Sequence, residues 1–246
     1  MNTDSRLDGR VIALTGAGRG LGLQITRALL DSGATVVANY RSESPALLEL
    51  AEKFGDSLRL CQGDVGEEDT AERLTATARQ CGRLDVLVHN AGISRDKPLV
   101  LMSPDDWDEV LRVNLRSAFL TTKQAVRVMM RQRYGRIVYI SSVAAVLGNA
   151  GQANYAASKA GLHGLALTVA QEYAGYGIRS VVLAPGLLDT GLGAALPDAI
   201  RTAKAERALL GLGGGEGVAE TVAFLASPAA DFINAEVIRM DGGIAS

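Results

Sequence analysis

Short apolar or β-branched runs alternating with stretches of helical periodicity are what most narrow the folds open to this chain of 246 residues. The runs fall at 11–14, 35–38, 58–60, 86–88, 137–140, 180–183 and 237–240, and helical periodicity covers 21–32, 46–54, 70–81, 105–130 and 156–173 between them. Such alternation builds a parallel sheet with helices on both faces. The runs are apolar at successive positions, not only at every second one, which fits strands buried on both sides. Ser103-Pro104-Asp105-Asp106 reads as a helix start, with Ser103 able to cap, Pro104 suited to the first turn and two acids at the positive helix end. No repeat, low-complexity tract or linker divides the chain. The expectation is one α/β domain over 1–246, a doubly wound, seven-stranded parallel sheet.

Composition excludes several partner classes. Apolar residues make up 48% of the chain, enough for a large core, and the formal net charge is −2. That balance offers no basic surplus for nucleic acid or an anionic membrane. Residues 1–10 are polar and charged, and no apolar run is long enough to span a bilayer, so a cytoplasmic location is expected. Cys61 and Cys81 have no ligand-like neighbours in sequence and read as free thiols of a reducing compartment. His89 and His163 are isolated, so no metal site is expected.

The first strand runs into Thr15-Gly16-Ala17-Gly18-Arg19-Gly20-Leu21-Gly22 and then a helix. Glycines let a backbone turn sharply and approach a phosphate, and helix-start N–H groups hold a pyrophosphate there. Strand before and helix after make this a Rossmann-type dinucleotide loop, although Gly16, Gly20 and Gly22 give G-x-x-x-G-x-G instead of G-x-G-x-x-G. The second strand continues as Asn39-Tyr40-Arg41, with no acid before Glu43 to bind a ribose 2′-hydroxyl. Arg41 and Arg19 would instead clamp a 2′-phosphate, so the expected cofactor is NADP(H).

Tyr155 and Lys159 stand four residues apart, on one face of a helix. A close ammonium stabilises a phenolate, so Lys159 is expected to lower the pKa of Tyr155 and make it a better proton donor. Alone, this pair also fits an ordinary amphipathic helix. The strand at 137–140, however, ends at Ser141-Ser142, and the carboxyl edge of parallel strands is where such sheets place ligands. A turn or cap role suits Ser141 better, which leaves Ser142 to hold a substrate carbonyl oxygen.

These motifs resemble the short-chain dehydrogenase/reductase family over essentially the whole chain. The resemblance rests on residues 15–22, Asn90-Ala91-Gly92, Asn114, Ser142, Tyr155-x-x-x-Lys159 and Pro185-Gly186, in that order. Residues 148–161, the run Asn90-Ala91-Gly92-Ile93-Ser94-Arg95-Asp96 and the tail 237–243 look most like the β-ketoacyl-[acyl carrier protein] reductase branch. The resemblance implies that Ser142 polarises the carbonyl, that Tyr155 is the general acid and that Lys159 tunes it and binds the nicotinamide ribose. Asn114 would hold a water linking Lys159 to a proton relay. Gly16, Arg19, Gly20, Leu21 and Gly22 would line the pyrophosphate and ribose, Asp64 and Val65 the adenine. Asn90, Ala91 and Gly92 would support the cleft, and Pro185, Gly186, Leu188 and Thr190 would contact the nicotinamide half. A homotetramer pairing the helices that begin near Asp105 and Ala156 is implied as well.

Three departures stand out. His89 occupies a position where this family often has Asn, and a packing or hydrogen-bonding role is expected of it. Arg133 matches a base used to dock the acidic carrier protein, but its companion position holds Tyr176, with Arg179 a possible substitute. Residues 191–217 read either as a substrate lid or as a variable surface loop. The resemblance implies NADPH-dependent reduction of a β-ketoacyl thioester in fatty-acid or polyketide-like chain synthesis. Alternatives are an NADP-dependent dehydrogenase/reductase of a free alcohol or ketone and a non-catalytic NADP-binding sensor, the last disfavoured because Asn114, Ser142, Tyr155 and Lys159 are all present.

Overall fold

The structure, a computed structural model, describes residues 6–244. Seven strands, β1 (Val11–Thr15), β2 (Thr35–Tyr40), β3 (Leu58–Gln62), β4 (Val86–His89), β5 (Gly135–Ile140), β6 (Ile178–Pro185) and β7 (Glu236–Met240), form one sheet in the order β3-β2-β1-β4-β5-β6-β7. Every neighbouring pair is parallel. Successive side chains point to opposite faces, and the two cores divide accordingly. Ile12, Leu14, Val86, Val88, Val138 and Ile140 pack with Ile25 and Leu29 of α1 (Gly20–Asp31) and Val222 and Leu225 of α9 (Gly215–Ala226). Val11, Ala13, Leu87, Ile137 and Tyr139 pack on the other face with residues of α3 (Glu68–Gln80), α5 (Ser117–Gln132) and α7 (Ala153–Tyr173). Each fully buried leucine or isoleucine contributes about 1.5–3 kcal/mol, so this two-sided burial explains the unbroken apolar runs.

The remaining helices are α2 (Pro45–Phe54), α4 (Pro104–Leu111), α6 (Ala144–Leu147) and α8 (Asp198–Ala205). Ser103 and Asp106 form a reciprocal capping box at the start of α4, as the acid-rich start suggested. The long helix expected over 105–130 is corrected. It is α4 and α5 joined by a π turn at Arg112–Arg116, where the Ser117 amide bonds the Arg112 carbonyl and the Ser117 hydroxyl takes the Val113 carbonyl instead. Residues 191–217 are likewise not one loop: they contain α8 and the start of α9. The chain order reverses between β1 and β4, so the carboxyl ends of those strands open the crevice where doubly wound sheets bind ligands.

Candidate active site

The glycine loop follows β1, and Asn90-Ala91-Gly92 follows β4, so the two line opposite sides of that crevice. Gly16 has φ +70°, and a Cβ there would lie 2.8 Å from the Ala91 Cα. A Cβ on Gly22 would lie 2.0 Å from the Gly16 carbonyl oxygen, and one on Gly20 2.7 Å from the Gly191 Cα. Asn90 knits the two walls together, its side-chain amide donating to the Thr15 and Gly16 carbonyls at 3.2 and 3.1 Å. The result is a cradle of bare backbone at the N-terminus of α1, which suits a pyrophosphate. Leu21 lies in its first helical turn. Arg19 and Arg41 are both exposed, and neither is in an ion pair among the described residues. Asp64 is already engaged: its carboxylate accepts from Arg112 at 2.9 Å and from the Gly66 amide at 2.8 Å. Burial works to raise the Asp64 carboxyl, but those two donors outweigh it and hold its pKa low. Val65 beside it is buried.

Ser142 stands just past β5, and Tyr155 and Lys159 lie on consecutive turns of α7. Buried Asn154 anchors the start of that helix, donating to the Arg95 and Asp106 carbonyls at 3.2 Å each. Lys159 is only 3% exposed, and its ammonium donates to the Ile140 carbonyl at 2.8 Å while lying 5.8 Å from the Tyr155 ring centre. Burial pushes its pKa down to about 8. A Cβ on Gly92 would meet this ammonium at 3.1 Å, so Gly92 keeps the space beside it open. Pro185, at the end of β6, accepts from the Val143 amide and so ties the Ser142 turn to the next strand. Gly186 bonds the Met240 carbonyl, Leu188 is bridged to Gly213, and Thr190 lies between Gly20 and Gly215.

Burial comes first among the causes that push the Tyr155 phenol up to about 12, the Ser142 hydroxyl opposes it as a hydrogen-bond partner, and Asp96 adds to the rise. The Lys159 ammonium, which donates to the Ile140 carbonyl, stands off from the phenol ring. One expectation is corrected here. The turn bond expected of Ser141 is made by Ser142, which accepts from the Ala144 amide at 3.2 Å. Ser141 is buried, donating to the Lys159 carbonyl at 3.0 Å and lying 2.8 Å from His163 Nε2.

Asn114 sits in the π turn, fully buried. Its side-chain oxygen accepts from the Ile93 amide at 2.8 Å, and its side-chain nitrogen donates to the Ile93 carbonyl and to Ser158 Oγ. The side chain is therefore spent on protein partners, and the main-chain carbonyl faces His89 Nε2 at 3.3 Å with its second lone pair left for a water. Sequence reasoning missed Ser158 and Asn154. Their positions inside the tyrosine motif were the available signal, since polar residues on a buried helix face need partners. The Ile140 carbonyl left no signal at all, because backbone groups carry none.

A family model described as enoyl-(acyl carrier protein) reductase matches residues 16–245. The chain is 39% identical over 241 residues to the 3-oxoacyl-[acyl-carrier-protein] reductase of Vibrio harveyi, covering 97% of this chain and 98% of the relative. It is 40% identical over 243 residues to the Thermotoga maritima enzyme of the same name, covering 97% and 99%. The Escherichia coli K12 enzyme of that name is 39% identical over 241 residues, covering 96% and 98%.

Proposed function

This chain belongs to the short-chain dehydrogenase/reductase family, and from that premise we propose that it reduces β-ketoacyl thioesters to β-hydroxyacyl thioesters with NADPH, in fatty-acid or polyketide-like chain synthesis. The observation that carries the reading is the convergence of Ser142, Tyr155 and Lys159 beside a glycine cradle that any Cβ would fill. A bound nicotinamide cofactor supplies the hydride. The chain supplies the rest. Ser142 holds the carbonyl oxygen, and the Tyr155 hydroxyl gives it a proton. A phenol near 12 is neutral at every working pH, which is the form a donor needs, and an alkoxide is a strong enough base to take its proton. Lys159 keeps positive charge near the carbonyl oxygen, which takes up the C=O π pair as hydride adds to the carbon, and Asn114 offers its carbonyl to a relay water.

Gly16, Gly20, Leu21, Gly22, Asn90, Ala91 and Gly92 would hold the cofactor's pyrophosphate and cleft side. Asp64 and Val65 would meet the adenine. Pro185, Gly186, Leu188 and Thr190 would meet the nicotinamide half, and Arg19 and Arg41 the 2′-phosphate. Residues 191–217 act as the substrate cover of a single NADP-binding domain spanning 1–246, whose outermost residues lie outside the described ones. Among the described residues no helix is long and apolar enough to cross a membrane, and the proposed location is cytoplasmic.

A free small-molecule ketone is the second reading, and Arg133 favours it. Its guanidinium donates to the Gly175 carbonyl at 2.9 Å and lies 5.8 Å from the Tyr176 ring centre, while Arg179 donates to the Asp231 and Gly177 carbonyls. Both bases proposed for carrier docking thus already have internal partners. NADPH oxidation with acetoacetyl groups on acyl carrier protein and on coenzyme A, and with a free cyclic ketone, separates the readings. Preference for the carrier-bound group supports the thioester reading and docking at Arg133. Turnover of the ketone alone defeats both.

A further inference from the structure

His89 lies at the end of β4, fully buried, and its hydrogen bonds admit only one arrangement. Thr15 Oγ1 accepts the amide hydrogens of Asn90 at 3.1 Å and Ala91 at 3.0 Å, so its own proton goes to His89 Nδ1 at 3.3 Å. A ring that accepts at Nδ1 carries its hydrogen on Nε2. That nitrogen faces the Asn114 carbonyl at 3.3 Å and Ser117 Oγ at 3.4 Å. The Ser117 proton is taken by the Val113 carbonyl, so both groups facing Nε2 are acceptors. The imidazole is neutral, since burial first and the Lys159 charge second push its pKa down to about 3.

A second run starts at the Asn114 side chain. Asn114 donates from its side-chain nitrogen to Ser158 Oγ at 2.9 Å, and Ser158 donates to the main-chain carbonyl of Tyr155 at 2.7 Å. Two hydrogen-bonded runs therefore meet at Asn114, one reaching its main-chain carbonyl from the strand that enters the glycine loop by way of His89, the other leaving its side chain through Ser158 to the helical turn bearing the proposed proton donor. We infer that His89 is a positioning residue, whose Nε2–H braces the Asn114 carbonyl and couples the cofactor side of the cleft to the Tyr155 side. This rests on the reading of Tyr155 as proton donor. A π turn exchanges the i→i+4 bonds of an α-helix for i→i+5 bonds, and at this one side chains also hold carbonyls. Two of its carbonyls, Val113 and Asn114, are held by side chains.

The test compares His89→Gln, whose amide nitrogen reaches where Nε2 stood, with His89→Leu, which has no donor. The expected result is a kcat loss of about 10-fold or more in His89→Leu and less than about 3-fold in His89→Gln, with NADPH Kd unchanged in both. Loss of His89→Leu through unfolding is covered by Ser158→Ala, which cuts the other run that meets at Asn114. Its kcat effect should be non-additive with that of His89→Leu, or of the donor-less His89→Phe where the leucine variant does not fold. Amide exchange at Ile93, whose N–H is held by the Asn114 side chain, should quicken in His89→Leu and not in His89→Gln. Equal kcat and exchange in the two His89 variants, or additive effects with Ser158→Ala, would overturn the brace. An inactive wild type would instead defeat the proposed function, while the exchange experiment still decided the brace.

Discussion

Tyr155, Lys159 and Arg41 each make a separable claim. Tyr155→Phe removes one hydroxyl and leaves the ring in place, so turnover should fall about 10²–10⁴-fold while NADPH affinity stays near wild type. NADPH oxidation together with a fluorescence titration of the cofactor checks this, and normal turnover would sink the assignment. Lys159 has its pKa depressed to about 8 by burial, so kcat/KM for reduction should decline as pH rises past that value and the ammonium is lost. Lys159→Arg keeps its charge to far higher pH and should move the limb upward, and a flat wild-type profile would contradict the argument. The same depression acts on stability. Between about 8 and the ordinary 10.5 the unfolded chain holds a proton that folded Lys159 has lost, so the Lys159 contribution to stability rises with pH there. Arg41→Ala should weaken NADPH much more than NADH in parallel titrations, whereas equal weakening would remove the case for a 2′-phosphate.

Glycine placement governs the loop between β1 and α1. Gly22→Ala would put a methyl 2.0 Å from the Gly16 carbonyl and 2.6 Å from the Asn90 side chain, and neither is the loose end of a flexible chain. Overpacking of this kind costs about 1–3 kcal/mol. The expected outcome is a melting temperature lower by several degrees with a clear loss of NADPH affinity, read by calorimetry and titration. Unchanged affinity would mean that the cradle tolerates a side chain and is not shaped for close backbone approach. The element least visible beforehand was the π turn. Asn114 and Ser117 are mediocre helix formers, but nothing in their spacing distinguishes a widened turn from a continuous helix, because the apolar stripe of 105–130 runs through it. α9 was hidden for a different reason: Gly215 and Gly217 open a helix whose stability comes from packing on α1.

The molecule as a whole leaves apolar surface on the helices expected to pair. Phe119 of α5 is 51% exposed and Leu167 of α7 is 37% exposed. We propose that these faces meet in a homotetramer. Phe119→Asp should then shift the sedimentation coefficient to a smaller species, and a wild type that sediments as a monomer would refute the assembly.

Strand–helix alternation, the glycine cradle and the Ser142, Tyr155 and Lys159 set were all legible in the amino-acid order. Burial on two faces, close backbone approach and a shared helix face each leave a local pattern of residue types. The partners of those residues were not legible. Lys159 bonds the Ile140 carbonyl and not the phenol, Asn114 spends its side chain on Ile93 and Ser158, and His89 joins Thr15 to Asn114. Each contact spans from 19 to 74 positions of the chain. Backbone carbonyls and hydrogen-bond directions carry no residue-type signal, and the pKa of Tyr155 depends on how deeply the packed helices enclose it. Local chemistry therefore singled out the proposed reacting groups, and only the packing of distant segments assigned them their partners and proton affinities.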